Sequence, residues 1–193
     1  MGKLYDRIDD RLRSFIEEQK IFFVATAPLS ENGHVNVSPK GLSGSLVVLD
    51  DRTVGYLDFG GSNAETIAHL RENARITLMW CAFTGPPKIV RIHGRGEPIF
   101  RDDPRFVELI GRFPAAHLPS LRAIIVVTAE RISDTCGYAV PFMEYRGERT
   151  LHTEFFSRKT DEEFAAYCET KPYVGTSIDG LPGLPLPLPP RPA

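Results

Sequence analysis

The residues in this sequence best suited to chemistry are those that suit a bound anion. Lys40 leaves an apolar run in the segment Ser38-Pro39-Lys40-Gly41. There an ammonium can reach a phosphate while the glycine lets the backbone lie close to it. Gly60-Gly61-Ser62-Asn63 opens a stretch with helical periodicity, and the N–H groups and dipole of a helix start attract negative charge. Arg91 lies inside the β-rich run KIVRIHG; on the buried rim of a barrel such an arginine needs an anion. Each residue also has a plainer explanation when taken alone: a solvated turn lysine, a well-capped helix, a strand arginine whose head reaches water. Together they suit a monophosphate, each charge-assisted bond contributing about 1.5–3 kcal/mol.

Other chemistries lack their residues. The five histidines, at 34, 69, 93, 117 and 152, never fall at the i, i+4 spacing of a helical metal pair, and HExxH is absent. No GxSxG elbow and no GxxxxGK[ST] loop occurs. Gly94-Arg95-Gly96 lies within a strand-like run and reads as a bulge rather than a dinucleotide turn. The three cysteines, Cys81, Cys136 and Cys168, form no CxxC pair, which argues against a disulfide framework and for a reducing compartment. With 23 Lys and Arg against 25 Asp and Glu, the net charge of -2 argues against a nucleic-acid-coating protein. The charged start MGKLYDRIDDRLR and the lack of a long apolar run predict no signal peptide and no membrane span, hence a cytoplasmic protein.

The elements that must position these residues follow from periodicity. Leu4, Ile8, Leu12, Phe15 and Ile16 predict an amphipathic first helix of about four turns. β-rich runs occur at 21–27, 34–41, 45–49, 53–59, 75–83, 88–100 and 122–134, with Asn32-Gly33 and Asp50-Asp51 marking hairpins. Ser62 with Glu65 three residues on reads as a capping box. Further helices are expected at 102–113, with proline in the first turn, and at 157–171. Hairpins with helices inserted between them predict an α+β antiparallel barrel. Of the 16 prolines, half a dozen fall between Pro182 and Arg191 or just beyond, so residues 1–180 are expected to be the domain and 181–193 a proline-rich tail, frayed or laid across a partner.

The blocks FVATA (23–27), VNVSPKG (35–41), YLDFGGSNAET (56–66), HLRENARITLMW (69–80) and IVRIHGRGEPI (89–99) resemble the FMN-binding split barrels related to pyridoxamine 5'-phosphate oxidase. The resemblance implies a six-stranded antiparallel split barrel with inserted and flanking helices, a homodimer, and FMN at the subunit interface. It implies that Lys40, Ser62, Asn63 and Thr66 hold the flavin phosphate, that Arg91 lies on a strand lining the site, and that backbone groups near Asn36 to Ser38 and Leu57 to Asp58 face the ring. Members that oxidise pyridoxamine phosphate carry an arginine where Val35 stands, a basic pair where Asn63-Ala64 stands, and an arginine-bearing C-terminal segment absent here. The implied function is therefore a flavoprotein oxidoreductase of some other small molecule, not the vitamin B6 oxidase. A non-catalytic carrier of flavin, deazaflavin or haem is the alternative.

Overall fold

The structure, a computed structural model, describes residues 2–62 and 64–192. The runs read from the sequence become β2 (Phe22–Thr26), β3 (Asn36–Lys40), β4 (Leu46–Val48), β5 (Thr53–Phe59), β6 (Arg75–Cys81), β7 (Ile89–Phe100) and β8 (Leu121–Thr135). They form one antiparallel sheet in the order β3-β2-β6-β7-β8-β5-β4, with β1 (Leu4–Tyr5) paired to β8. The sheet thus has eight strands, not the six that the resemblance implies. Seven are the runs read from the sequence, and the eighth is β1, whose residues the apolar spacing assigns to the first helix. That helix, α1 (Asp10–Glu18), begins only after Asp9, whose carboxylate accepts from the Leu12 N–H at 2.8 Å and so ends the extended segment before it.

Pro39 is tolerated because β3 is an edge strand. The expected bulge at Gly94 is present as a register shift between His93 and Gly94, where a β-carbon would run into the Thr128 carbonyl. β5 is buried on both faces. Val54 and Tyr56 join the large core with Val24, Leu78, Ile92 and Ile125, whereas Leu57 joins a second cluster built on Phe106 and Phe113. Helix α2 (Glu65–Asn73) lies against β2, β6 and β7, and α3 (Pro104–Ile110) lies over β7 and β8.

The expected capping box at Ser62 does not form. Ala64 is the N-cap of α2, without a side-chain cap, and the Glu65 carboxylate instead accepts from the Ile178 N–H at 3.1 Å. A distant segment has taken over the acid that the local pattern assigned to Ser62.

After β8 the chain forms α4 (Leu151–Phe156), α5 (Asp161–Thr170) and α6 (Pro172–Gly175). The proline-rich segment then straps back over its own barrel. Leu184 and Leu188 are buried, Arg71 donates to the Gly183 carbonyl at 2.6 Å, and the buried Arg101 donates to Asp161 at 2.9 Å and to the Pro189 carbonyl at 3.2 Å. Proline suits such a strap because an extended segment without ladder partners loses little by lacking an N–H.

Removing a buried strap leucine is expected to matter. Leu188→Ala should cost about 2–5 kcal/mol and lower Tm by roughly 4–20 °C. Calorimetry checks this; an unchanged Tm would mean that the strap does not hold the barrel.

Candidate functional site

The main cleft, about 1250 Å³, opens where the two ends of the curled sheet approach each other. One end supplies Lys40 of β3, and the other supplies Leu57 and Phe59 of β5 with the turn Gly60-Gly61-Ser62 behind them. The opposite wall is Phe23 and the loop Ala82–Pro86, and the stretch 143–152 covers one side with Met143, Tyr145, Glu148, Arg149 and His152.

Behind the cleft wall the buried Asp58 carboxylate sits between two cations that line it, Lys40 and Arg122. Arg122 donates to Asp58 Oδ2 through Nε at 2.8 Å, with a second guanidinium nitrogen also at 2.8 Å. Lys40 Nζ lies 3.6 Å from Asp58 Oδ1 and keeps a quarter of its side chain exposed. Two positive charges against one negative leave a net positive site, and burial strengthens its field by excluding water. Arg122 was missed by the sequence reading because it opens an otherwise apolar run. Of its parity partners on β8, Ile124 is buried, Val126 half-buried and Thr128 exposed, so parity gave no sign of its burial.

The candidates read from the sequence separate into groups. Lys40 and Ser62 line the cleft, and Asp58 backs Lys40. Asn63 lies outside the described residues. Asn36, Ser38 and Thr66 meet in a buried polar cluster instead. Asn36 Nδ2 donates to Thr66 Oγ1 at 3.0 Å and to Thr26 Oγ1 at 3.3 Å, Ser38 Oγ donates to Asn36 Oδ1 at 3.0 Å, and Thr26 Oγ1 lies 3.0 Å from His69 Nδ1. The cluster joins edge strand β3 to α2. Arg91 lies apart from both groups: it alternates with the buried Val90 and Ile92, and it donates to Thr135 Oγ1 at 3.0 Å on the other face of β7. Of the two tyrosines that follow β8, Tyr145 lines the cleft and Tyr138 lines a separate depression.

Among the described residues, no group of three His, Cys, Asp or Glu side chains is placed to hold a metal ion, and no helix is long and apolar enough to cross a membrane. The cysteines are unpaired, and burial pushes the Cys168 thiol up to about 11, which keeps it protonated near neutrality.

Comparison with known proteins identifies the family. The family model described as pyridoxamine 5'-phosphate oxidase matches residues 8–136. A curated relative, the pyridoxamine 5'-phosphate oxidase family protein ustO of Aspergillus flavus, is 35% identical over 196 residues, covering 95% of this chain and 78% of the relative. The chain belongs to the pyridoxamine 5'-phosphate oxidase family. Its fold is also similar to that of HupZ from Group A Streptococcus. A variant of HupZ aligns with a TM-score of 0.53 at 20% identity over 66% of this chain and 99% of that one; a second HupZ structure aligns at 0.52, also 20% identical, over 65% and 91%. The pyridoxamine 5'-phosphate oxidase family match ends at residue 136, so the cover at 143–152 and the proline strap lie beyond the part that the family model describes.

The buried cluster makes stability depend on pH. Burial is the main cause holding the His69 imidazole below its ordinary value of 6.5, with Asp179, Glu65 and Glu72 opposing it. As pH falls through 6.5 towards the lowered folded value, the unfolded chain takes up a proton that the folded chain does not, so stability falls. Denaturant titrations from pH 7.5 to 5 should show this loss, and His69→Gln should flatten it. An identical slope in the variant would remove His69 as its source.

Proposed function

We propose that this family member is an FMN-binding flavoprotein, an oxidoreductase acting on a small molecule, with the flavin phosphate held at the Lys40 end of the cleft. The observation that carries the reading is the Lys40–Asp58–Arg122 array beside Gly60-Gly61-Ser62. The donor set fits the group. Lys40 is partly exposed, so it can meet a phosphate while Asp58 keeps it in place. A β-carbon at Gly61 would meet nothing within 4 Å, so the turn leaves room for an anion at its backbone. The apolar walls, Phe23, Leu42, Leu57, Phe59, Phe83 and Met143, suit a flat ring. When bound, the isoalloxazine ring supplies the electron chemistry. The chain's own residues neutralise the phosphate, exclude water from one side of the ring and shape the entrance.

A haem carrier is less well served. His152 is the histidine lining this cleft, and its Nε2 is committed to the Gly60 carbonyl while Nδ1 is buried. No nitrogen of that ring is presented to an iron.

A homodimer with the flavin at its interface belongs to the same reading. It is supported by Val35 and Val37, which stand 71% and 62% exposed on and beside the edge strand β3. Unpaired, apolar strand edges are normally covered.

Lys40→Ala should weaken FMN binding by about 1.5–3 kcal/mol, roughly 10- to 150-fold, and leave riboflavin, which has no phosphate, nearly unaffected. Fluorescence titration of the apo-protein with both flavins measures it. Wild-type protein that binds neither flavin would overturn the reading. Reduction of the bound flavin by NAD(P)H and reoxidation by a candidate substrate separate an enzyme from a carrier.

A further inference from the structure

The glycine turn beside Lys40 is gripped from behind. The Gly60 N–H donates to the Ser120 carbonyl at 2.7 Å, and the Gly60 carbonyl accepts from His152 Nε2 at 2.9 Å. No side chain fits at position 60: a β-carbon there would lie 2.6 Å from Phe164 Cε2 and 3.1 Å from Ser120 Cβ. At Gly61 the surroundings are open.

His152 is itself held firmly. Its ring packs against Phe59 at 5.9 Å and Phe156 at 4.9 Å between centroids, and Phe156 packs in turn on Phe164. A carbonyl only accepts, so Nε2 carries a hydrogen, and Nδ1 is buried with no hydrogen-bond partner among the described residues. A buried ring nitrogen without a partner is a cost that packing alone does not require. A phenylalanine would complete the aromatic cluster without it. The nitrogen that is used is the one on Gly60.

A trans peptide is planar, with the carbonyl of one residue and the N–H of the next pointing in opposite directions. Fixing the Gly60 carbonyl on His152 therefore fixes the Gly61 N–H away from the imidazole. From these contacts we infer that His152 is the positioning residue of the anion-binding turn: it sets the Gly60–Gly61 peptide plane so that the Gly61 N–H is presented to the ligand phosphate. The helix carrying it, α4, lies beyond the residues matched by the family model. The C-terminal segment thus tunes a site built by the barrel. This inference rests on the flavin-phosphate reading above.

The test uses the full-length apo-protein and compares FMN with riboflavin. His152→Phe keeps an aromatic ring in the cluster and removes the donor, whereas His152→Gln keeps a donor at a similar reach. His152→Phe is expected to weaken FMN at least tenfold while changing riboflavin by less than twofold, and His152→Gln is expected to recover most of the loss. Equal losses for the two flavins, or no loss for FMN in His152→Phe, would overturn the inference and assign His152 to packing. Should His152→Phe not fold, His152→Gln decides alone: an FMN affinity within threefold of wild type supports the donor role, and a tenfold loss overturns it. Wild-type protein that binds riboflavin and FMN equally would sink the phosphate site itself, and this inference with it; a split seen in wild type and undiminished in His152→Phe leaves that site standing and removes only the role of His152.

Discussion

The buried carboxylate of Asp58 holds together the parts of this protein that matter most. It lies on β5 and is shared by Arg122 of β8 and Lys40 of β3. Because β3 and β5 stand towards opposite ends of the strand order, the Lys40 contact crosses the split that the backbone ladder leaves open. A lone buried guanidinium would be costly, and a lone buried carboxylate equally so. Paired, they neutralise each other and hold the Asp58 carboxylate in place. The third partner, Lys40, remains partly exposed and free to meet a ligand. The same interaction joins the two ends of the sheet and leaves the array of Lys40, Asp58 and Arg122 with one net positive charge.

Around that centre the chain assembles a cradle from segments far apart in sequence. The barrel provides the cations and the glycine turn, α5 supplies Phe164 behind Gly60, and α4 supplies His152 to its carbonyl. The proline strap then locks α2 and α5 from outside through Arg71, Arg101 and Asp161. Polar groups buried in this way rigidify a structure only when they are satisfied. Glu65 meets that condition in part: one oxygen accepts from the Ile178 amide, and the other has no hydrogen-bond partner among the described residues.

Family membership and the departures from it bear on different parts of the structure. Lys40 and the glycine turn lie within the residues matched by the family model, Met143, Tyr145, Glu148 and Arg149 line the cleft beyond them, and Val35 is exposed outside the cleft. The cover formed by Met143, Tyr145, Glu148 and Arg149 combines apolar and charged groups of both signs.

Much of the barrel was legible in the sequence, because alternation with period two and turn residues at fixed places are local properties. All seven runs read as strands form strands, and Pro39 and Gly94 mark the edge and the bulge for reasons carried by those residues themselves. Lys40 and the glycine turn could be singled out because their chemistry is written in residue type. Tertiary packing decided the rest. Leu4 and Tyr5 form a strand because β8 offers them partners, although their spacing suits a helix. The tail became a strap because a groove accepts Leu184 and Leu188. Asn36, Ser38 and Thr66 came together with His69, while Arg91 turned to another face, because strand parity sets direction and only the closed sheet shows what lies in each direction. Arg122 and His152 had no local signal, since their roles depend on Asp58 and Gly60, which only folding brings beside them.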